Sequence, residues 1–176
     1  VDPHGNFAIL ATLATIAVGA AIGAVIDAGA QPASVIKGGS VYDHEMSFAF
    51  IRGGHIDAAV LGTLQVDQEG NIANWTIPGK MVPGMGGAMD LCAGVKKIIV
   101  ATDHCEKSGK SKILKKCTLP LTGVHCVTDI VTERCYFEVT KDGLVLRELA
   151  EEYSVEDILA CTEADVIVPD EIGVMS

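Results

Sequence analysis

Five short apolar runs, separated by turn residues, constrain this chain more than any other feature. They are residues 56–61 (IDAAVL), 97–102 (KIIVAT), 127–132 (VTDIVT), 135–140 (CYFEVT) and 144–149 (LVLREL). Each is about the length of one strand, too short for a buried helix, and most are rich in Val and Ile. Near-continuous apolarity in the first predicts a buried strand, as in a parallel sheet. Asp142-Gly143 between the last two is a hairpin signal, so part of the sheet must be antiparallel.

Helical segments fall between the strands. Asp43 is a natural N-cap for a helix through Arg52, with Met46, Phe50 and Ile51 at helical spacing and Gly53-Gly54 as the stop. A second helix opens near Ala88 and runs to Ala93. A third starts at Ser154, with Asp157 three residues on as a near capping box, and reaches Cys161. Shorter strands are expected at Ala33–Ile36, Leu64–Val66, Ile113–Cys117 (an exposed edge, given its lysines) and Asp165–Val168, with a turn at 68–71. Alternating strands and helices define the α/β class, an open, mixed, mainly parallel sheet with helices on its faces. No repeat or linker divides the chain, so residues 1–176 read as a single domain.

Composition excludes several functions. The net charge of −10 and the 5% aromatic content disfavour nucleic acid as a partner, since phosphate binding needs a positive field and base stacking needs rings. Ala8–Ile26 is a chargeless run of 19 residues with Gly19 and Gly23 spaced as GxxxG, long enough for a membrane span. Its Ala, Gly and Thr content and the lack of any Lys or Arg before Lys37 favour no membrane insertion. The six cysteines (Cys92, Cys105, Cys117, Cys126, Cys135 and Cys161) form no CxxC or zinc-like spacing, so they are expected to be reduced, mostly buried thiols of a cytoplasmic protein.

Gly79–Asp90 (GKMVPGMGGAMD) is the local feature richest in chemistry. Glycines let a ligand approach the backbone, and free amides ahead of a helix can meet an oxyanion. The loop is neither a phosphate-binding GxxxxGK[ST] nor a dinucleotide fingerprint. Ser47 lacks an elbow motif and is not expected to be a nucleophile. His55 is expected to be structural. His44, His104 and His125 have no metal-ligand spacing, and no metal is expected. Lys107, Lys110, Lys112, Lys115 and Lys116 form the one basic cluster, read as a solvated face that can also attract phosphates.

Four segments, in order, resemble one family. Ser47–Asp57 (SFAFIRGGHID), Ala73–Leu91 (ANWTIPGKMVPGMGGAMDL), Lys112–Gly123 (KILKKCTLPLTG) and Asp142–Leu149 (DGLVLREL) look like the B-type polypeptide, or C-terminal half, of 3-oxoacid CoA-transferases. The resemblance covers about residues 28–168. It implies an enzyme that moves CoA between a short-chain acyl-CoA and a free carboxylic acid. A glutamate attacks the thioester to give an acyl-glutamyl anhydride, and CoA thiolate returns to give a glutamyl-CoA thioester. It also implies an A-type partner, a heterotetramer or larger, and acyl-CoA as substrate with no permanently bound cofactor. Gly84, Gly86, Gly87 and Lys80 are the expected contacts to CoA and the oxyanion.

At one point the chain departs from the pattern. An ungapped count puts the family's glutamate, in a Ser-Glu-Asn-Gly segment, near Ile9, within Ala8–Leu10. The chain reads Phe7-Ala-Ile-Leu-Ala11 there, and no acidic residue lies between Asp2 and Asp27. Neutral aliphatic side chains cannot attack a thioester. The family's N-terminal helix and first strand are also absent, so the resemblance implies a domain that is N-terminally incomplete, and its nucleophile is not among residues 1–26 as they stand; the alternative is an inactive homologue that binds acyl-CoA.

Overall fold

A computed structural model describes residues 25–26, 32–34, 37–41, 43–79 and 86–175. Strands β1 (Val25–Ile26) and β2 (Pro32–Ala33) pair antiparallel. The strand expected at Ala33–Ile36 is represented only by Ala33 at the end of β2; positions 35 and 36 lie outside the described residues.

Helix α1 (His44–Arg52) starts where expected, with the Asp43 carboxylate accepting from Met46 N at 2.8 Å. Glu45 in its first turn and Arg52 in its last complement the helix dipole. Gly54 follows at φ +70, a left-handed turn that favours glycine. Next come β3 (Ala58–Leu61), β4 (Gln65–Asp67), β5 (Ile72–Ala73), α2 (Ala88–Gly94) and β6 (Lys97–Ala101). After them are β7 (Ile113–Leu114), β8 (Val127–Val131), β9 (Cys135–Thr140), β10 (Gly143–Leu149), α3 (Val155–Cys161), β11 (Val166–Ile167) and β12 (Gly173–Val174). The box at Ser154 is complete: its hydroxyl accepts from Asp157 N at 3.2 Å while Asp157 accepts from Ser154 N at 3.0 Å.

The main sheet has the order β11-β10-β9-β8-β6-β3, with β12 also on β10. β3, β6 and β8 are parallel; β9 runs against both β8 and β10; β11 and β12 are parallel to β10. The hairpin is where Asp142-Gly143 predicts it. Thr140 faces Gly143 across a two-residue loop, and Gly143 begins β10 at φ +133. A smaller sheet, β5-β4-β7, packs on the first. One core joins them: Val66, Ile72 and Ile113 of the small sheet, Ile98, Ile130, Phe137 and Leu146 of the large one, and Ile158 of α3 are all fully buried. Strand alternation puts Tyr136 and Glu138 on the opposite face, where a groove of about 670 Å³ is lined by Lys97, Asp129, Arg147 and Glu148 among others.

Two expectations need correction. The strand expected at Ile113–Cys117 does lie at the edge of the small sheet, but it is shorter than expected and its border is covered. Only Ile113–Leu114 is strand, both residues are buried, and the Ile113 carbonyl accepts from Glu163 N and Ala164 N, so the segment after α3 covers that edge. All six thiols are free, but only Cys135 is fully buried; the other five are half-buried.

His104 lies wholly inside, between the end of β6 and the C-terminus of α3. Thr162 Oγ1 donates to the Ile158 carbonyl at 2.7 Å, so it accepts from Nε2–H of His104 at 2.9 Å. Nδ1, 3.2 Å from Thr132 Oγ1, is then the acceptor. Burial pushes this imidazole down to about 4, with Arg134 adding to the effect. The folded protein thus resists a proton that the unfolded chain takes up near 6.5. The stability this site contributes is intact above pH 6.5 and is lost as pH falls toward 4. Wild type should lose about 2 kcal/mol more than His104→Gln between about pH 7 and pH 4.5 in urea titrations. Equal losses in the two proteins would remove His104 from the account.

Candidate active site

In open α/β sheets ligands gather at the carboxyl ends of parallel strands. Here β3 and β6 end in Gly62-Thr63 and Thr102-Asp103. Thr102 Oγ1 reaches the Thr63 carbonyl at 3.4 Å, and Lys112 Nζ donates to Thr102 Oγ1 at 3.2 Å and pairs with Asp103 at 3.7 Å. Asn74 closes the other side. Its Nδ2 donates to the Gly62 carbonyl at 3.1 Å, its N–H donates to Thr122 Oγ1 at 3.1 Å, and Thr122 donates back to Asn74 Oδ1 at 2.7 Å. Trp75 follows, its buried Nε1–H without a hydrogen-bond partner among the described residues. This anchored strip leads to Pro78-Gly79 and the glycine-rich loop.

Of the residues expected to contact CoA, Lys80 and Gly84 lie outside the described residues, as does Ile9. Gly86 and Gly87 are described. Gly86 is left-handed at φ +54 and exposed, and Gly87 is the residue before α2, with no side chain capping the helix. A Cβ on Gly87 would sit 3.4 Å from the Phe48 ring of α1. Arg52 lies over that same ring, 5.3 Å from its centroid, and its Nε is 2.7 Å from Asp90 of α2. At the far end of α2, Gly94 presses against the Ile51 carbonyl. Helices α1 and α2 are thus held face to face, and Gly87, at the exit of the glycine loop, is fixed to α1.

A Cβ at position 94 would lie 2.9 Å from the Ile51 carbonyl carbon and 3.3 Å from Arg52 Cα, both backbone atoms with no rotamer to yield. Gly94→Ala should therefore destabilise the protein by about 1–3 kcal/mol. An unchanged urea midpoint would show that the two helices separate freely.

The third segment, Lys112–Gly123, is held from below. The Gln65 side-chain carbonyl accepts from Thr118 N at 2.9 Å and Leu119 N at 3.0 Å. Asp67, 1% exposed, accepts from Glu69 N, Asn71 N, Asn71 Nδ2 and Cys117 N at 3.0–3.1 Å. Asn71 Oδ1 in turn accepts from His125 N, and His125 has the unusual φ of +49. Sequence reading missed Thr63, Asp67, Asn74, Trp75, Thr102 and Thr122 as individuals. Asn74, Trp75 and Thr122 do lie in the segments that carry the resemblance.

The remaining candidates take structural places. Ser47 is buried and its hydroxyl donates to the Asp43 carbonyl. His55 is exposed, its ring against Gly53 and edge-on to Phe50. Glu45 is exposed on α1. Lys115 pairs with Asp165, and Lys107, Lys110 and Lys116 are exposed. No three His, Cys, Asp or Glu side chains converge on a metal position among the described residues. No described helix is long and apolar enough to cross a membrane; Ala8–Ile26 lies outside the described residues except for Val25 and Ile26.

Comparison with known proteins accounts for this arrangement. Residues 11–160 match the family described as Coenzyme A transferase. The chain is 58% identical over 151 residues to the beta chain of the acetate CoA-transferase of Haemophilus influenzae, covering 86% of this chain and 68% of that protein. It is 53% identical over 140 residues to the Escherichia coli protein of the same name, covering 80% of this chain and 65% of that one. It is 47% identical over 141 residues to the B-type polypeptide of the succinyl-CoA:3-ketoacid coenzyme A transferase of Helicobacter pylori, covering 80% and 68%. The fold overlays an acyl-CoA transferase of Escherichia coli O157:H7, solved as a thioester complex with CoA. The TM-score is 0.70 at 26% identity, over 81% of this chain and 33% of that one. A decarboxylase, AibA/AibB, shares the fold at 20% identity and TM-score 0.63, so the architecture by itself does not select a reaction.

The chain belongs to the coenzyme A transferase family, a family of transferase enzymes. Within it, the sequence is of the B type of the 3-oxoacid group. It spans about two thirds of the length of the bacterial polypeptides it matches.

Proposed function

We propose that this chain is the B-type part of an enzyme that moves CoA between a short-chain acyl-CoA and a free carboxylic acid, through a glutamyl-CoA thioester. The observation that carries the reading is 58% identity over 86% of the chain to a protein named for acetate CoA transfer. Relatives named for acetate and for succinyl-CoA with a 3-ketoacid favour short acyl chains, with acetoacetate, butyrate, acetate and succinate all compatible. An A-type partner completes the protein in this reading, as a heterotetramer or larger in the cytoplasm.

A carboxylate nucleophile needs no base. It needs an oriented position and donors for the oxyanion that forms when the thioester carbonyl is attacked. Gly86 and Gly87 are proposed to supply backbone amides, with Gly84 and Lys80 beside CoA. Helix α2 has only seven residues, so these amides act as individual donors more than through a helix dipole. The clamp from Phe48 and the Arg52–Asp90 pair would keep them from shifting as charge develops.

The test is capture of the intermediate. The Ile9→Glu protein, with its A-type partner, is incubated with acetoacetyl-CoA and then borohydride, and digested for mass spectrometry. The carboxylate introduced at position 9 should carry the CoA adduct or its reduced form. Labelling of no carboxylate would leave only acyl-CoA binding.

A further inference from the structure

Two thiols that the transfer chemistry does not use lie against each other beside α2. Cys92 is in its second turn, and Cys126 is in the segment entering β8. Gly123 makes room for both. A Cβ there would lie 2.6 Å from Cys126 Sγ and 2.9 Å from Cys92 Sγ, so both sulfurs crowd one point. Each residue is half-buried, within reach of a small oxidant.

We propose that Cys92 and Cys126 form a dithiol modification site that a hydroperoxide converts to a disulfide, tying α2 to the start of β8. The pair is chemically unequal. The Cys92 S–H, aided by a backbone amide and by His125, holds Cys126 below the ordinary thiol range, and Cys92 is pushed up correspondingly. Cys126 is therefore the more acidic thiol and is assigned the first attack, with Cys92 as the resolving thiol. The Cys126 sulfur attacks one peroxide oxygen, the O–O bond breaks, and the departing oxygen leaves as water or alcohol after taking a proton. Cys92 then attacks the sulfenic sulfur. The S–O bond breaks, the S–S bond forms, and hydroxide leaves as water with the Cys92 proton. Two thiols lose two electrons and one hydroperoxide gains them. The crosslink would restrain α2, whose first residues follow Gly86 and Gly87.

The full chain, reduced and then treated with stoichiometric hydrogen peroxide, is digested without reductant and mapped. The peptides bearing Cys92 and Cys126 should be joined, with loss of two hydrogen masses, and separated again by dithiothreitol. Cys92→Ser should abolish the link and leave Cys126 as a sulfenic acid trapped by dimedone. Cys126→Ser should leave Cys92 untrapped. A Cys105→Ser/Cys161→Ser double variant should keep the link, and circular dichroism checks that each variant folds. Absence of the link, its appearance only between Cys105 and Cys161, or failure of dimedone to label Cys126 in Cys92→Ser overturns the proposal.

Discussion

Ile9→Glu protein, assembled with an A-type partner, is expected to gain thioester exchange with acetoacetyl-CoA by about 10⁴-fold or more over the chain carrying Ile9. That magnitude is what removal of a covalent nucleophile costs in other enzymes. The family chemistry needs a carboxylate to accept the acyl group, and no residue from Pro3 to Ile26 is acidic. Binding of acyl-CoA should change little, because the glycine loop and the network around Asn74 are untouched. The effect should therefore fall on kcat and not on KM. Ile9→Gln is the isosteric control and should stay inactive. Ala8→Glu and Leu10→Glu bracket the ungapped count, and one of the three positions should stand out. If none forms a borohydride-sensitive adduct while acyl-CoA still binds, the placement of the nucleophile in this segment is wrong.

Asp67→Ala should destabilise the protein by about 3–4 kcal/mol, the largest loss expected from a polar change here. Four donors converge on this one buried carboxylate, from Glu69 and Asn71 of the turn that it opens and from Cys117 fifty residues away. Alanine leaves them without their acceptor, and each unsatisfied donor retains its desolvation penalty. Asp67→Asn keeps one acceptor oxygen but points an amide at other donors, so about half that loss is expected. Urea unfolding measures the total. Hydrogen exchange at the Asn71 and Cys117 amides shows whether the loss is local. A change below about 1 kcal/mol for alanine would mean that the loop re-forms on other partners.

The legible part of the fold was local. Asp43, Ser154 and Asp142-Gly143 each place an element boundary within a few residues, because caps and tight turns are decided by side chains next to the backbone they serve. The misread segment, Ile113–Cys117, failed for the opposite reason. Its lysines suggest an open border, but Glu163 and Ala164 arrive from about fifty residues away to close it. The candidate site divides the same way. Gly86 and Gly87 stand out in sequence because glycine is rare in dense clusters. Thr63, Thr102 and Thr122 do not, since nothing near them in the chain marks one threonine above another.

By itself the sequence determined the α/β class, the mixed sheet, the helix caps, the family and the neutral stretch where a nucleophile is expected. All of these rest on periodicity, adjacent residues or ordered motifs. Only the tertiary structure decided that α1 clamps the exit of the glycine loop, that Asp67 takes a donor from Cys117 fifty residues away, and that Cys92 meets Cys126. Such meetings depend on the order of strands in the sheet and on where the crossovers return. Many sequence-distant contacts fix that order jointly, so no short stretch of the chain encodes it.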